Sequence, residues 1–284
     1  MLLQGKEVNG SIHRVPSAIH LYEEGDLGGV DLQHLGHSLT EKTHIPCHLH
    51  GNIYHGLSPE KEEEVARGYA EAKVKDPERE VTHREPLPGE WKYEQRRIRD
   101  PRWKLFGILY DGVTYHRIVS DLMLGEGIDL DHCVILFTNQ LFGTWDWNDR
   151  RYHARVSLYG FPSLISTSGL VEAPAKPKEF YFKKQMGIPV EMLKEEYEGR
   201  FIDHGDLRMT EVLKGYAFQA LFFHLFGEPF CEDRDCRLFN SHWQEEVIRA
   251  QIDGKYEFCV RHERILKELR ERSKDSPSPS EAVS

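Results

Sequence analysis

The spacing of cysteines and one histidine near the carboxyl end constrains the fold of this chain more than any other feature. Cys231 and Cys236 are separated by four residues, and 22 further residues lead to Cys259-Val-Arg-His262. Two short segments that each carry two soft ligands are what a closed tetrahedral zinc site requires, and the spacer can bring them together. We therefore predict one structural zinc ion per chain. A chance pattern among 16 histidines and five cysteines is the alternative.

Composition and charge exclude several classes of protein. The odd cysteine count and the absence of a secretory signal at Met1–Glu7 disfavour a disulfide framework and predict a cytoplasmic protein. A net charge of -10 disfavours binding to nucleic acid. Apolar runs such as Val134–Phe137 are far shorter than the roughly 20 residues of a membrane helix. We expect partners to be peptides or proteins; the oligomeric state stays open.

Hydrophobic periodicity predicts an α/β (α+β) fold, a mixed sheet covered by helices. The predicted strands are Ser17–Tyr22, Ile45–His50, Leu105–Tyr110, Val134–Phe137, Ala154–Tyr159 and Lys178–Lys183. The predicted helices are one near Val30–Leu39, one at Pro59–Ala72 capped by Ser58, one capped by Thr210 and ended by Gly227, one capped by Ser241, and one at Val260–Arg272. The polar segment 73–102 is predicted to be a loop.

The predicted organisation is a single domain over residues 1–272. Its first part, 1–200, is rich in strands, and its second part, 201–272, is helical and binds zinc. Residues 273–284 are low in hydrophobicity, which predicts a disordered tail.

The helix before the first two cysteines resembles the active-site helix of the archaemetzincins, a family of zinc metallopeptidases of the metzincin type. Their pattern is H-E-x-x-H-x-x-G-x-x-H-C-x4-C-x-M, followed later by C-x2-C. Without gaps, this sequence matches it at His224, Gly227, Cys231 and Cys236. The Cys259-x2-His262 pair resembles the last cysteine pair with one thiol replaced by imidazole. The resemblance implies a metzincin-like fold and a substrate cleft beside the strand Arg155–Tyr159.

Four positions depart from that pattern. Ala220 stands in place of the first zinc histidine, Leu221 in place of the general-base glutamate, and Phe230 in place of the third histidine. The methionine below the metal is Leu238. Alanine and phenylalanine cannot bind zinc and leucine cannot accept a proton, so the metzincin mechanism is not available. We expect a peptide-binding or regulatory relative that keeps its structural zinc.

Two alternatives remain open. An active metallopeptidase could have a rebuilt site around His224, with His204 and His242 as further ligands. Glu245 or Glu246 would then be the general base. A hydrogen-bonded histidine in the core is the preferred interpretation of His224. A purely structural zinc module for protein assembly is the second alternative.

Two further clusters invite a functional interpretation. The segment His44–His55 contains four histidines and Cys47, and His48 and His50 would face one side of a strand as two metal ligands could. Irregular spacing favours ordinary surface histidines, so the role of this segment stays open. Trp145 and Trp147 lie in a loop before the predicted cleft strand. The predicted ligand-binding residues are Trp145, Trp147, Arg155, Ser157 and Tyr159, and packing of the tryptophans on their own sheet is an equal alternative.

Overall fold

The computed structural model describes residues 15–82, 84–104, 107–125 and 127–275. These residues form a mixed α/β fold, which confirms the predicted fold class. The strands are β1 (Ala18–Glu24), β2 (Cys47–Asn52), β3 (Lys73–Val74), β4 (Leu109–Asp111), β5 (His132–Thr138), β6 (Leu141–Asp146), β7 (Arg151–Arg155), β8 (Ser157–Leu158) and β9 (Ser163–Ser166). The helices are α1 (Leu32–Thr43), α2 (Pro59–Glu71), α3 (Pro88–Arg99), α4 (Gly112–Gly125), α5 (Thr167–Glu172), α6 (Lys178–Gln185), α7 (Val190–Glu196), α8 (Met209–Phe226), α9 (Gln244–Gln251) and α10 (Val260–Asp275). Among the described residues, no helix combines the length and apolar character that a membrane span requires.

The larger sheet has the strand order β2-β1-β5-β9-β8. Its first four strands are parallel, and β8 runs antiparallel to β9 at one edge. The apolar run Val134–Phe137 in β5 is fully buried because helices cover both faces of the sheet. Ile135 and Phe137 pack with α1 and α8, whereas Val134 and Leu136 pack with α2 and α4.

The smaller sheet has the order β3-β4-β6-β7, and it leads directly into the larger one. Strand β7 pairs with β6 in this sheet, and after Val156 the chain continues as β8 in the other sheet. The segment from Arg155 to Tyr159 therefore crosses between the two sheets at an edge. This crossing places it beside α8.

A buried polar network stabilises the cluster beneath α2, α3 and α4. Glu24, at the end of β1, and Glu94 and Arg97 of α3 are all buried. The Arg97 guanidinium donates hydrogen bonds to Glu24 and, over 2.7 Å, to Glu94. The Tyr54 hydroxyl donates to Glu24 over 2.5 Å, and Lys73 forms an ion pair with Glu94 at 2.6 Å. Each buried charge therefore has an opposite charge or a hydrogen-bond donor, as burial requires.

Two predicted helix boundaries agree with the structure. The Ser58 side chain accepts a hydrogen bond from the Lys61 amide over 3.2 Å and caps α2. Gly227 ends α8 with φ +69, the left-handed conformation that glycine adopts at little cost.

The predicted strand Lys178–Lys183 is wrong, because this segment forms helix α6. The helix starts after Pro177, carries Glu179 in its first turn and lysines in its last turn, and so complements the helix dipole. Only Phe180 of this element is buried. The alternating aromatic residues therefore do not line a buried strand face.

Thr210 and Ser241 do not cap helices as predicted. Helix α8 begins at Met209, and the Thr210 hydroxyl instead accepts a hydrogen bond from the Asp31 amide over 3.0 Å. Helix α9 begins at Gln244. The amide of Trp243, just before it, donates to the Glu246 carboxylate over 3.2 Å.

Other segments differ from their predicted bounds. The polar segment 73–102 contains helix α3, and the predicted strand 154–159 is divided between β7 and β8. Of the predicted strand 105–110, residues 105 and 106 lie outside the described residues, and β4 begins at Leu109. Helix α10 continues to Asp275, so the first three residues of the predicted tail are helical. Residues 276–284 lie outside the described residues.

Candidate metal centre

The two segments that carry the cysteines and His262 meet at the ends of two helices. After α8 ends, the chain forms a turn in which the Cys231 amide donates to the Leu238 carbonyl over 2.8 Å. Cys259 directly precedes α10, and His262 lies in the first turn of that helix. The Arg237 amide donates to the Glu257 carbonyl over 3.0 Å and joins the two segments.

The three sulfur atoms and the His262 nitrogen converge on one point. Cys231 Sγ lies 3.9 Å from Cys259 Sγ. His262 Nδ1 lies 3.7 Å from Cys236 Sγ and 3.1 Å from Cys259 Sγ. All four atoms lie within 4.8 Å of one another. Zinc with bonds of about 2.3 Å to sulfur and about 2.0 Å to nitrogen places tetrahedral ligand atoms about 3.5–3.8 Å apart. The three distances of 3.9, 3.7 and 3.1 Å are within about half an ångström of these values, whereas a disulfide needs sulfurs about 2.05 Å apart.

The surroundings of this Cys3His group are partly closed. Cys236 and His262 are buried, and Cys231 and Cys259 are partly buried. The His262 ring packs edge-on against Phe222 of α8, with ring centres 5.1 Å apart. Contact with the Cys236 thiol, together with burial, raises the pKa of Cys231 to about 12, and the same contact lowers the pKa of Cys236. A metal ion bound here would displace the protons of the coordinating thiols.

Helix α8 has no metal site at the positions of the archaemetzincin pattern. Ala220 and Leu221 are 0% exposed and belong to the core of the larger sheet. The Phe230 ring packs edge-on against Tyr159, with ring centres 5.9 Å apart. His224 is partly buried near the end of α8. Aliphatic and aromatic side chains therefore occupy the places where ligands and a base would be needed.

The residues considered for a rebuilt site are not brought together. His204 lines a cavity beside Asp26 and Lys104, whereas His242 lines a different cavity beside Ser157. Within the described ranges, two groups have ligand atoms that all lie within 4.8 Å. They are the Cys3His group and a partly exposed group at the β6–β7 hairpin, Asp146, Asp149 and His153.

The two glutamates considered as general bases already have partners. Glu245 accepts a hydrogen bond from Arg200 Nε over 3.1 Å. Glu246 accepts one from the His242 amide over 2.9 Å at the start of α9. Neither carboxylate is directed to His224 by these contacts.

A cavity of about 440 Å³ lies between the crossing segment and α8. Its lining includes Arg155, Ser157 and Tyr159 together with Tyr216 and Gln219 of α8. The Tyr159 hydroxyl donates to Gln219 Oε1 over 2.6 Å, and burial raises the pKa of Tyr159. We call this cavity the cleft.

The two predicted tryptophans do not line the cleft. Trp147 is 73% exposed at the β6–β7 hairpin. Trp145 packs edge-on against Tyr152 of the same hairpin, with ring centres 5.3 Å apart. Arg155 Nε donates to Thr144 over 2.8 Å, so the hairpin still holds one wall of the cleft in place.

Comparison with known proteins assigns a family. A family model described as "Probable metallopeptidase family (DUF6775)" matches residues 15–269. The chain belongs to this family. A zinc-dependent peptidase from Methanocorpusculum labreanum aligns with 88% of this chain and 99% of its own at 14% identity and a TM-score of 0.42. No curated protein sequence matches this family member.

The sequence did not indicate three residues that line the cleft or contact the predicted histidine pair. Gln219 lies in the cleft, and its signal in the sequence is an amide within the apolar run 215–223 of α8. His20 and His132 lie against the predicted His48 and His50 pair. The spacing of His20 and His132 in the sequence does not indicate this contact, because they lie on β1 and β5, whereas His48 and His50 lie on β2.

Proposed function

We propose that this family member carries a structural zinc ion and binds an extended peptide in the cleft without cleaving it. The observation that carries the proposal is the contrast between the Cys3His group, which joins the end of α8 to the start of α10, and the apolar positions within α8. The Cys3His group brings four atoms of the kind that bind zinc within 4.8 Å of one another, whereas Ala220 and Leu221 are buried in the core where the archaemetzincins have a ligand and a base. On this basis the family member is a metzincin-like protein that has lost its classical catalytic centre.

The structural role of zinc follows from the ligand set. Four protein ligands complete a tetrahedral ion and leave no position for water or substrate. The ion would join the end of α8 to the start of α10, and α10 packs against α1 through the hydrogen bond from Arg270 to the Lys42 carbonyl. Zinc would therefore stabilise the carboxyl-terminal helices rather than perform chemistry.

Peptide binding is supported by the edge of the larger sheet. Strand β8 pairs with β9 on one side, and no strand pairs with its other side among the described residues. An extended peptide can add to such an edge through main-chain hydrogen bonds. Among the residues that line the cleft, Arg155 carries a permanent positive charge, and none is an aspartate or glutamate. We therefore expect a peptide with an acidic side chain.

The test combines metal analysis, a general peptidase assay and peptide binding on the full chain. We expect one zinc ion per chain that survives dialysis, no hydrolysis, and binding of acidic peptides measured by fluorescence anisotropy. Arg155→Ser should weaken binding at least tenfold. Arg151→Ser, on the same strand but outside the cleft lining, is the matched control.

Two outcomes would contradict the proposal. Peptide hydrolysis that is lost on chelation and in His224→Ala would support the rebuilt catalytic site. A zinc-loaded chain that binds no acidic peptide would support a structural zinc module for assembly.

A further inference from the structure

Four histidines from three adjacent strands meet on one face of the larger sheet. His20 lies on β1, His48 and His50 lie on β2, and His132 is the first residue of β5. His20 is the direct cross-strand neighbour of His48. His50 lies at an irregularity in the pairing of β1 with β2, and its ring stacks on that of His20 with ring centres 4.9 Å apart, which places it on the same face. We call these residues the imidazole cluster.

His20 lies at the centre of the imidazole cluster. Its Nδ1 lies 2.7 Å from His50 Nε2, and its Nε2 lies 2.7 Å from His132 Nδ1. The His48 ring centre lies 5.4 Å from that of His20. Tyr22 stacks on His50 with ring centres 4.4 Å apart and an angle of 8° between the planes, which fixes the orientation of that ring.

The imidazole cluster is open to solvent on the β2 side. His20 is 9% exposed, whereas His48 and His50 on β2 are exposed. An ion could therefore reach the cluster from the β2 side. Burial and the three neighbouring imidazoles lower the pKa of His20 to about 4. The pKa of His50 is also lowered, by burial and by His48.

Neutral imidazoles at this spacing suit a transition metal ion. Two nitrogens bound to one ion at about 2.0–2.1 Å and at right angles lie about 3 Å apart. The observed 2.7 Å between His20 Nδ1 and His50 Nε2 is within a few tenths of that distance. The second nitrogen of a ligating histidine usually contacts an orienting group, and His132 occupies that position for His20.

We propose that His20 Nδ1, His50 Nε2 and one nitrogen of His48 bind a divalent transition metal ion, with His132 orienting His20. In the structure neither nitrogen of His48 lies within 4.8 Å of both of the other two, so binding requires the exposed His48 ring to turn towards them. Water would complete the coordination sphere on the open side. Imidazole and water ligands suit Ni²⁺, Cu²⁺ and Zn²⁺. This site is separate from the Cys3His group and does not depend on the proposed peptide binding.

The experiment titrates the zinc-loaded full chain with Ni²⁺ and measures bound nickel after gel filtration. Zinc is limited to one ion per chain, which fills the Cys3His group and leaves the imidazole cluster to nickel, and retained zinc shows that each variant is folded. We expect one nickel ion per wild-type chain and at least tenfold weaker binding in His48→Ala and in His50→Ala. His132→Ala should weaken binding by about 10–100-fold, as expected for an orienting residue.

His55→Ala is the matched control, since His55 is an exposed histidine of the same sequence segment. It should bind nickel like the wild type. Three results would overturn the proposal: no nickel bound by the wild type, equal binding in His50→Ala, or an equal loss in His55→Ala. The last would show simple chelation by surface histidines.

Discussion

Replacing Arg97 by methionine removes the guanidinium that lies between two buried carboxylates. Glu94 keeps the ammonium group of Lys73 at 2.6 Å and the Tyr110 hydroxyl at 3.0 Å. Glu24 keeps only tyrosine hydroxyls, among them that of Tyr54 at 2.5 Å. Methionine fills much of the volume of the arginine side chain. The substitution therefore tests the charge of Arg97 more than its packing.

The expected cost follows from the burial of all three groups. Removing one member of a buried ion pair costs about 3–5 kcal/mol, because a buried charge loses its partner. Arg99 on the same helix is 59% exposed and contacts Glu62 over 2.9 Å. Arg99→Met should cost about 0–1 kcal/mol, as usual for exposed pairs. The two variants should thus differ by at least about 2 kcal/mol.

Urea denaturation of the zinc-loaded chain at neutral pH measures both free energies of unfolding. The double variant Glu24→Gln/Arg97→Met should lose less than the sum of the two single variants, because it leaves no uncompensated carboxylate at position 24. If Arg97→Met were no less stable than Arg99→Met, the network would contribute nothing through its charge, and the reasoning would be refuted.

Three further predictions concern the metal centre, the imidazole cluster and α8. Cys236→Ser should abolish zinc binding and lower the melting temperature as much as chelation lowers that of the wild type. Cys133→Ser, the control, should keep its zinc. An unchanged melting temperature in Cys236→Ser would contradict a structural role of the metal. Because the pKa of His20 is lowered to about 4, the unfolded chain takes up a proton near pH 6.5 that the folded chain does not. The free energy of unfolding should therefore be highest above pH 6.5 and fall as the pH drops towards 4, and His20→Asn should flatten this decrease in urea titrations without added metal. Leu221→Glu should lower the free energy of unfolding by about 4 kcal/mol, because burial that raises the pKa of the new carboxyl group by about three units costs that much. Leu207→Glu, at a 98% exposed position, should change it by less than about 0.5 kcal/mol.

The sequence predicted the parts of the fold that follow from apolar patterning. The buried strand around Val134–Phe137 and the glycine that ends α8 are examples. Helix α3 was missed because two of its three buried residues are the charged Glu94 and Arg97. Their burial depends on Glu24, which is 73 residues away from Arg97 in the chain. No local pattern contains that information.

The two candidate metal sites likewise differ in whether local sequence reveals them. The four ligands of the Cys3His group come from two short segments, so their spacing indicates their chemistry. In the imidazole cluster, His20 contacts residues that are 30 and 112 positions away in the chain. These contacts depend on the order of the strands in the sheet, and the spacing of the histidines along the sequence does not determine that order.

The burial of Ala220 and Leu221 in α8 has an evolutionary consequence. A ligand and a base at positions 220 and 221 would be buried polar groups, and each is tolerated only when a metal ion and the remaining ligands are already present. Under the proposed function, restoring the archaemetzincin pattern would need three replacements, at Ala220, Leu221 and Phe230. A polar residue at position 220 or 221 alone would make the chain less stable than it is now, because both positions are 0% exposed. Gradual mutation would then lead away from the hydrolytic pattern more easily than back to it.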